Sequence, residues 1–369
     1  MNRNRKTIVV SAVNLRKGGT LTILRGCLQY LSTLTRDFRV VALVHKRELC
    51  DYEGIEYREM PDIIRGWGIR LWCEYVTMHR ISKDLAPVYL WLSLHDTSPR
   101  VLAERQAVYC QTAFPFYHWS WQDFRFDYKI PLFACFTRFA YRMNVHSNRH
   151  LIVQQEWLRE GLSRMLGVSR DKFIVAPPGK KAVKIVPEKI LKKYFTFFYA
   201  STPDCHKNFE SLCEASRLLE NEVGKGRFTV VLTVRGDENK YASWLKKKWG
   251  EVESIDFAGF MSRERLYGYY QAADCLVFPS KVETWGLPIS EFMETGKPML
   301  LADLPYAHET SAGSEYTAFF SATDVVELKN EMKKILEGDW TSLKKIPLLT
   351  GDEPIVYTWK ELFEKLVKE

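Results

Sequence analysis

The sequence predicts an α/β protein of two Rossmann-like domains, and three observations carry that reading. Short apolar runs that look like buried parallel strands alternate with segments of helical periodicity. The alternation pauses in a basic, proline-containing stretch, KKAVKIVPEKILKK (180–193), and then starts again. At 369 residues the chain is also too long for one ordinary core, and a hydrophobic content of 46% can fill two. The expected divisions are 1–180, 181–350 and a C-terminal helical segment, 351–369.

Residues 6–13 (KTIVVSAV) are mainly apolar and look like a strand buried on both faces of a parallel sheet. A short loop, NLRKGGT, follows, then a helix in which Leu24, Cys27, Leu28 and Leu31 recur at i, i+3, i+4 and i+7. Further strands are expected at 38–44, 87–94, 105–110, 150–155 and 173–180, with a helical stretch at about 68–85 and a helix closed by Gly167. The segment 112–143 is crowded with aromatics and punctuated by Pro115 and Pro131. Beyond the basic link, strands are expected at 196–201, 228–234, 254–259, 275–280 and 298–302. Helices are expected at 208–222, up to Trp249 and from near Arg263. In the last segment Trp359, Leu362, Phe363 and Leu366 fall on one helical face.

No stretch approaches the length of a membrane span. The N-terminus lacks a small-residue cleavage site after its apolar run, so a first buried strand is expected rather than a signal peptide. The eight cysteines form no C-x-x-C pair, which argues for free thiols in a reducing compartment and against zinc. A net charge of +8 suits an anionic partner such as nucleotide phosphates, nucleic acid or an acidic membrane, and equally plain solubility.

The chemistry concentrates in VETWGLPISEFMETGKP (282–298). Glu283 follows the strand expected at 275–280, and ligands of open parallel sheets bind beyond the C-terminal ends of strands. Gly286 permits an unusual backbone angle or a close approach, and Pro288 suits the first turn of a helix. The helix is expected from Pro288 to near Gly296, with Glu291 in its first turn. Amide groups exposed at that helix start, flanked by two carboxylates, suit a nucleotide sugar. Taken alone, Glu291 is equally explained as an acid favoured by the helix dipole, but this leaves Glu283 and the intervening Gly-Leu-Pro without a reason.

The stretch SKVETWGLPISEFMETGKPMLLADLPYAHE resembles the E-x7-E region of retaining GT-B glycosyltransferases of the group 1 (family 4) type. Upstream, YASTPDCHKNFESLCEA resembles their diphosphate-binding segment, and GFMSRERLYGYYQAADCLVFPS the segment leading into the motif. The match is dense over about 196–310 and loose over the N-terminal half, where the Gly-Gly-Thr loop also fits. The resemblance implies a GT-B fold, two Rossmann-like domains with parallel sheets facing each other across a cleft. Residues 1–180 would be the acceptor side, 181–350 would bind the nucleotide sugar, and the helix in 351–369 would pack back on the first domain.

Residue by residue, the resemblance implies that Lys207 pairs with the donor diphosphate, Glu291 accepts hydrogen bonds from the ribose, and Glu283 contacts the donor sugar near the reacting carbon. Backbone around Gly286 and Leu287 would hold sugar or phosphate, and Gly18 and Gly19 would let the first loop approach the donor. The glycines also fit an ordinary tight turn, and Lys207 an ordinary surface lysine at a helix start. The chain departs from the family in two places. The arginine that often precedes the lysine is replaced by Ser201, Thr202 and Pro203, leaving His206 as one substitute for the second cation. The N-terminal histidine near the donor sugar is not in place, and Gln111, His118, His95 and His308 are the alternatives.

The expected activity is hexosyl transfer from a nucleotide diphosphate sugar to a saccharide or lipid-linked saccharide, with retention, in surface polysaccharide assembly. No DxD-type motif stands out, so no metal is expected, and no cofactor beyond the donor itself. The basic aromatic segment FPFYHWSWQDFRFDYKIPLFACFTRFAYR suits peripheral contact between a cytoplasmic enzyme and an anionic membrane, and equally a core with a sugar-stacking cleft. Rival readings are a nucleotide-sugar epimerase or hydrolase on the same fold, and a non-catalytic nucleotide-sugar-binding module. A dehydrogenase would need the G-x-G-x-x-G that is missing, and a nucleic-acid binder leaves the glutamate pair unexplained.

Overall fold

The computed structural model describes residues 5–179, 185–349 and 351–368, without the side chains of Ile64 and Arg65. The boundary expected between 180 and 181 lies outside the described residues. In chain order the elements are β1 (Lys6–Ala12), α1 (Gly18–Ser32), β2 (Phe38–Val44), β3 (Glu56–Glu59), α2 (Trp67–Trp72), α3 (Met78–Asp84), β4 (Val88–Ser93), β5 (Arg105–Tyr109), α4 (Trp121–Asp127), α5 (Lys129–Arg142), β6 (His150–Val153), α6 (Glu156–Leu166) and β7 (Phe173–Val175). They continue with β8 (Phe195–Tyr199), α7 (Phe209–Val223), β9 (Phe228–Leu232), α8 (Lys240–Trp249), β10 (Ile255–Phe257), α9 (Arg263–Ala272), β11 (Cys275–Phe278) and α10 (Leu287–Met293). The last are β12 (Met299–Ala302), α11 (Pro305–Thr310), β13 (Thr317–Phe320), α12 (Val325–Leu336) and α13 (Trp359–Lys368).

Two all-parallel sheets result. One has seven strands in the order β3-β2-β1-β4-β5-β6-β7, the other six in the order β10-β9-β8-β11-β12-β13. The chain divides into two compact units around them. The first runs up to Thr112, resumes at Phe136 and is completed by the segment after Gly351; the second holds Ala113–Cys135 and the rest.

In the first unit, β1 and β4 are central and buried along almost their whole length, which is why both read as mainly apolar runs. One face of the sheet packs Ile8, Val10, Leu90 and Leu92 against Leu24, Cys27, Leu28 and Leu31 of α1. The same core takes Leu362, Phe363 and Leu366 of α13. Gly26 of α1 is there for close approach: a Cβ at this position would lie 2.7 Å from Trp359 Nε1. The stretch expected to be one helix over 68–85 is α2 and α3 joined by a π-turn at Cys73–Thr77. The π-turn carries Glu74, whose carboxylate is buried beside Arg70 Nε at 2.9 Å and His95 Nδ1 at 3.5 Å.

In the second unit, the aromatic segment serves partly as packing. Phe114 stands edge-on to His206 at 5.1 Å, and Phe126 lies 4.9 Å from Trp244 and 5.4 Å from Tyr241. Ser120 and Asp123 form a capping box at the start of α4, and the Tyr117 hydroxyl also donates to Asp123 Oδ2 at 3.0 Å. Pro131 is the third residue of α5, where its missing N–H costs no helical bond.

Candidate functional site

Strand order in the second sheet reverses between β8 and β11. The loops leaving the C-terminal ends of such a strand pair form the ordinary ligand crevice of an open parallel sheet. After β8 the chain makes a 3₁₀ turn over Cys205–Lys207 and reaches Asn208 at φ 58°. Asn208 is 1% exposed, and its amide donates to the carbonyls of Pro279 at 3.0 Å and Ala322 at 2.9 Å. Those bonds hold a left-handed conformation that most residues avoid. The buried Tyr199 hydroxyl donates to the Lys207 carbonyl at 2.8 Å. From the other loop, Lys281 N–H donates to the His206 carbonyl at 2.8 Å, and Tyr306 hydroxyl donates to the Ser280 carbonyl at 2.7 Å. Two loops far apart in sequence are thus tied at their backbones.

The outcome is a contact between the two residues singled out most sharply by sequence. Lys207 Nζ lies 2.6 Å from Glu283 Oε1, and each side chain is 14% exposed. An ammonium on a flexible stem, held by one carboxylate and still open to solvent, can turn to a phosphate. Gly286 sits at φ 89° before α10, where a side chain would be strained and its Cβ would lie 3.1 Å from Ile289 Cδ1. Leu287 opens that helix and is 41% exposed.

Glu291 is placed differently from expectation. The helix starts at Leu287, with Pro288 second, so Glu291 is the fifth residue and lies outside the first turn. The helix dipole therefore does not explain it. Its carboxylate is instead held by α9: Tyr270 hydroxyl donates to Oε2 at 3.1 Å, and Tyr267 hydroxyl and Arg263 Nη2 donate to Oε1 at 3.3 Å each. Burial pushes the Glu291 carboxyl above its usual range, against the pull of these three donors. Sequence reasoning missed Arg263, Tyr267 and Tyr270. Their spacing of four and three puts them on one helical face, but nothing in the sequence says that Glu291 faces it.

The remaining candidates separate clearly. His206 is no second cation: burial, with Lys207 and Lys281 nearby, drives its pKa well below the usual value and keeps the ring neutral. His95 belongs to the first unit's core, fully buried and bonded to Ser11 Oγ at 3.0 Å, and burial pushes its pKa down to about 4. Gln111 is buried there too, its amide donating to the Leu94 carbonyl at 2.6 Å. His308 pairs with Asp303 at 2.6 Å and stacks on Phe319, and His118 is exposed. Gly18 and Gly19, read as a loop, are the first two residues of α1. Gly18 stands at φ 64°, and a Cβ on either would meet nothing within 4 Å. Among the described residues no cluster of three or more His, Cys, Asp or Glu could hold a metal, and no helix is long and apolar enough to cross a membrane.

Two doubly wound parallel units, one carrying a lysine–glutamate pair at its strand-order reversal, are the units of a GT-B fold. The family model of the glycosyl transferases group 1 matches residues 181–346 of the chain. The chain is 25% identical over 316 residues to the O-antigen chain mannosyltransferase RfbU of Salmonella typhimurium, covering 82% of this chain and 84% of that one. It is 32% identical over 146 residues to the O-antigen chain mannosyltransferase B of Escherichia coli, covering 39% and 38%. Among solved structures, Anabaena HepE in complex with UDP superposes with a TM-score of 0.61 at 12% identity, covering 91% of each chain. At that identity the likeness speaks of fold alone.

Proposed function

We propose that this protein is a glycosyltransferase that moves a hexose from a nucleoside diphosphate sugar to a lipid-linked saccharide acceptor during O-antigen or related surface polysaccharide assembly. The observation that carries the reading is the Lys207–Glu283 contact at the β8/β11 reversal, with Glu291 held nearby on the same unit. Lys207 supplies positive charge to the leaving diphosphate, where charge develops as the glycosidic bond breaks. Glu283 holds the sugar beside the reacting carbon, Glu291 accepts from the ribose, and backbone at Gly286 and Leu287 lines the sugar or phosphate. Gly18 and Gly19 are assigned to the donor on the family resemblance. The acceptor hydroxyl attacks on the face the diphosphate leaves, the departing phosphate takes its proton, and configuration is retained without a metal or further cofactor. The names of the two relatives favour mannose as the hexose.

Equilibrium binding of UDP, GDP, ADP and their mannose and glucose conjugates, followed by product analysis with a lipid-linked acceptor, tests this. One nucleoside diphosphate bound tightly and one sugar transferred with its anomeric configuration kept is the expected result. Binding with hydrolysis or epimerisation only, or with no turnover on any acceptor, would replace it with the corresponding rival.

A second element of the reading concerns where the enzyme works. Along α5, Leu132, Phe136 and Phe139 recur at i, i+4 and i+7 and are 41%, 63% and 62% exposed. Lys129, Arg138 and Arg142 accompany them, and the helix carries no acidic residue. An apolar stripe with basic flanks fits the surface of an anionic bilayer, which would place a cytoplasmic enzyme beside a lipid-linked acceptor. Flotation with vesicles containing anionic phospholipid should carry the protein, and Phe136→Asp/Phe139→Asp should abolish it. Equal flotation of the variant would refute this surface.

A further inference from the structure

Glu291 is held by donors of two kinds. Tyr270 is 1% exposed, and its ring is wedged edge-on between Phe198 at 5.7 Å and Phe292 at 6.0 Å. Its hydroxyl donates to Oε2 at 3.1 Å and has little freedom to do otherwise. The two donors to Oε1 are longer, 3.3 Å each, and the Arg263 side chain is 57% exposed. Water or a ligand can replace an exposed contact of that length at small cost, whereas a buried hydroxyl cannot be left without its acceptor. The two oxygens of one carboxylate therefore face different tasks.

We propose that Tyr270 is a positioning residue for nucleoside recognition: it pins Oε2 of Glu291, so that Oε1 is the oxygen presented to the ribose hydroxyls. The proposal rests on the assignment of Glu291 to the ribose. It adds a division of labour between the two carboxylate oxygens and a residue that touches no ligand. The charged state of Glu291 is part of the same device. Burial and the neighbouring Glu294 raise its pKa, while Tyr270, Arg263 and Tyr267 lower it. Removing the Tyr270 hydroxyl removes the foremost of these opposing contributions. The carboxyl then takes up a proton at higher pH, and the protonated form is a poorer acceptor for two hydroxyls.

Tyr270→Phe keeps the ring and its packing and deletes the single hydroxyl. At neutral pH its affinity for the ribonucleoside diphosphate chosen by the wild type should fall about tenfold, the scale of one hydrogen bond to a charged group. The loss of affinity on acidification should begin at higher pH than in the wild type. Preference for the ribonucleoside diphosphate over its 2′,3′-dideoxy analogue should shrink by a similar factor. Tyr267→Phe and Arg263→Ala should each cost less than Tyr270→Phe. Wild-type affinity with an unchanged pH profile in Tyr270→Phe, while Glu291→Ala binds weakly, would overturn this inference alone. Unchanged affinity in Glu291→Ala would overturn the ribose assignment beneath it. Should Tyr270→Phe not fold, the Oε1 pair decides. A tenfold loss at Tyr267→Phe or Arg263→Ala would show that Oε1 is the held oxygen and overturn the proposal, whereas small losses at both support it.

Discussion

Glu283→Gln is the perturbation with the least obvious outcome. Lys207 and Glu283 lie 2.6 Å apart with each side chain 14% exposed. At an effective dielectric of about 20 the raw attraction at that distance is about 6 kcal/mol. Most of it is cancelled by desolvation of two partly buried charges, and a net coupling of about 1–2 kcal/mol is the reasonable remainder. A diphosphate that draws on Lys207 must compete with that coupling. Glutamine keeps the shape and one acceptor oxygen but removes the competing charge. The expected result is a nucleoside diphosphate that binds about five- to thirtyfold more tightly, since 1.4 kcal/mol is a factor of ten. Turnover with the full sugar donor should nevertheless fall, because the carboxylate proposed to hold the sugar is gone. Calorimetry with the nucleoside diphosphate, beside kcat for transfer, separates the two. Diphosphate affinity that is unchanged or weaker would refute the competition argument, and undiminished kcat would remove Glu283 from the sugar.

Three further outcomes follow from the same structure. Because burial raises the folded-state pKa of Glu291, the group costs stability in full above that pKa, and the cost fades as pH falls towards its unfolded value. Glu291→Gln should therefore melt higher than the wild type at pH 8 without ligand, with a gap that narrows towards pH 5; a lower melting temperature at pH 8 would contradict this. Gly26→Val places carbon where Trp359 Nε1 would stand 2.7 Å away, so α13 must shift at a cost of about 1–3 kcal/mol. Denaturant melts should show that loss, and an unchanged midpoint would mean that Trp359 moves freely. Asn208→Ala loses two amide bonds to Pro279 and Ala322 and strains a backbone at φ 58°, for a loss of about 2–3 kcal/mol. Affinity should fall more for the nucleoside diphosphate than for the bare nucleoside, since Asn208 adjoins Lys207; equal losses would argue against a phosphate role for this loop.

Much of the fold was legible because central parallel strands must be apolar on both faces. β1, β2, β4, β8, β9, β11 and β12 stand out as mainly apolar runs of this kind, and the reversal of each sheet follows from that pattern only once the pairing is known. β3 and β13 escaped notice for physical reasons. β3 is the edge strand EYRE, charged and partly exposed, and β13, TAFF, is the outermost strand of the other sheet. The π-turn at Cys73–Thr77 was invisible as well, since an extra residue in a helix barely disturbs its apolar periodicity over so short a span.

For the site, sequence alone determined which residues to watch: Lys207, Glu283, Gly286 and Glu291 are chemistry-capable residues at spacings that a packed core does not need. It could not tell that Lys207 and Glu283, 76 residues apart, meet at 2.6 Å. Nor could it tell that His206 is buried and neutral, or that Tyr270 reaches Glu291 from a different helix. Those facts depend on which loops the strand order brings side by side and on how much water each group keeps. Strand pairing and burial are properties of the folded chain as a whole, so only the tertiary structure decided them.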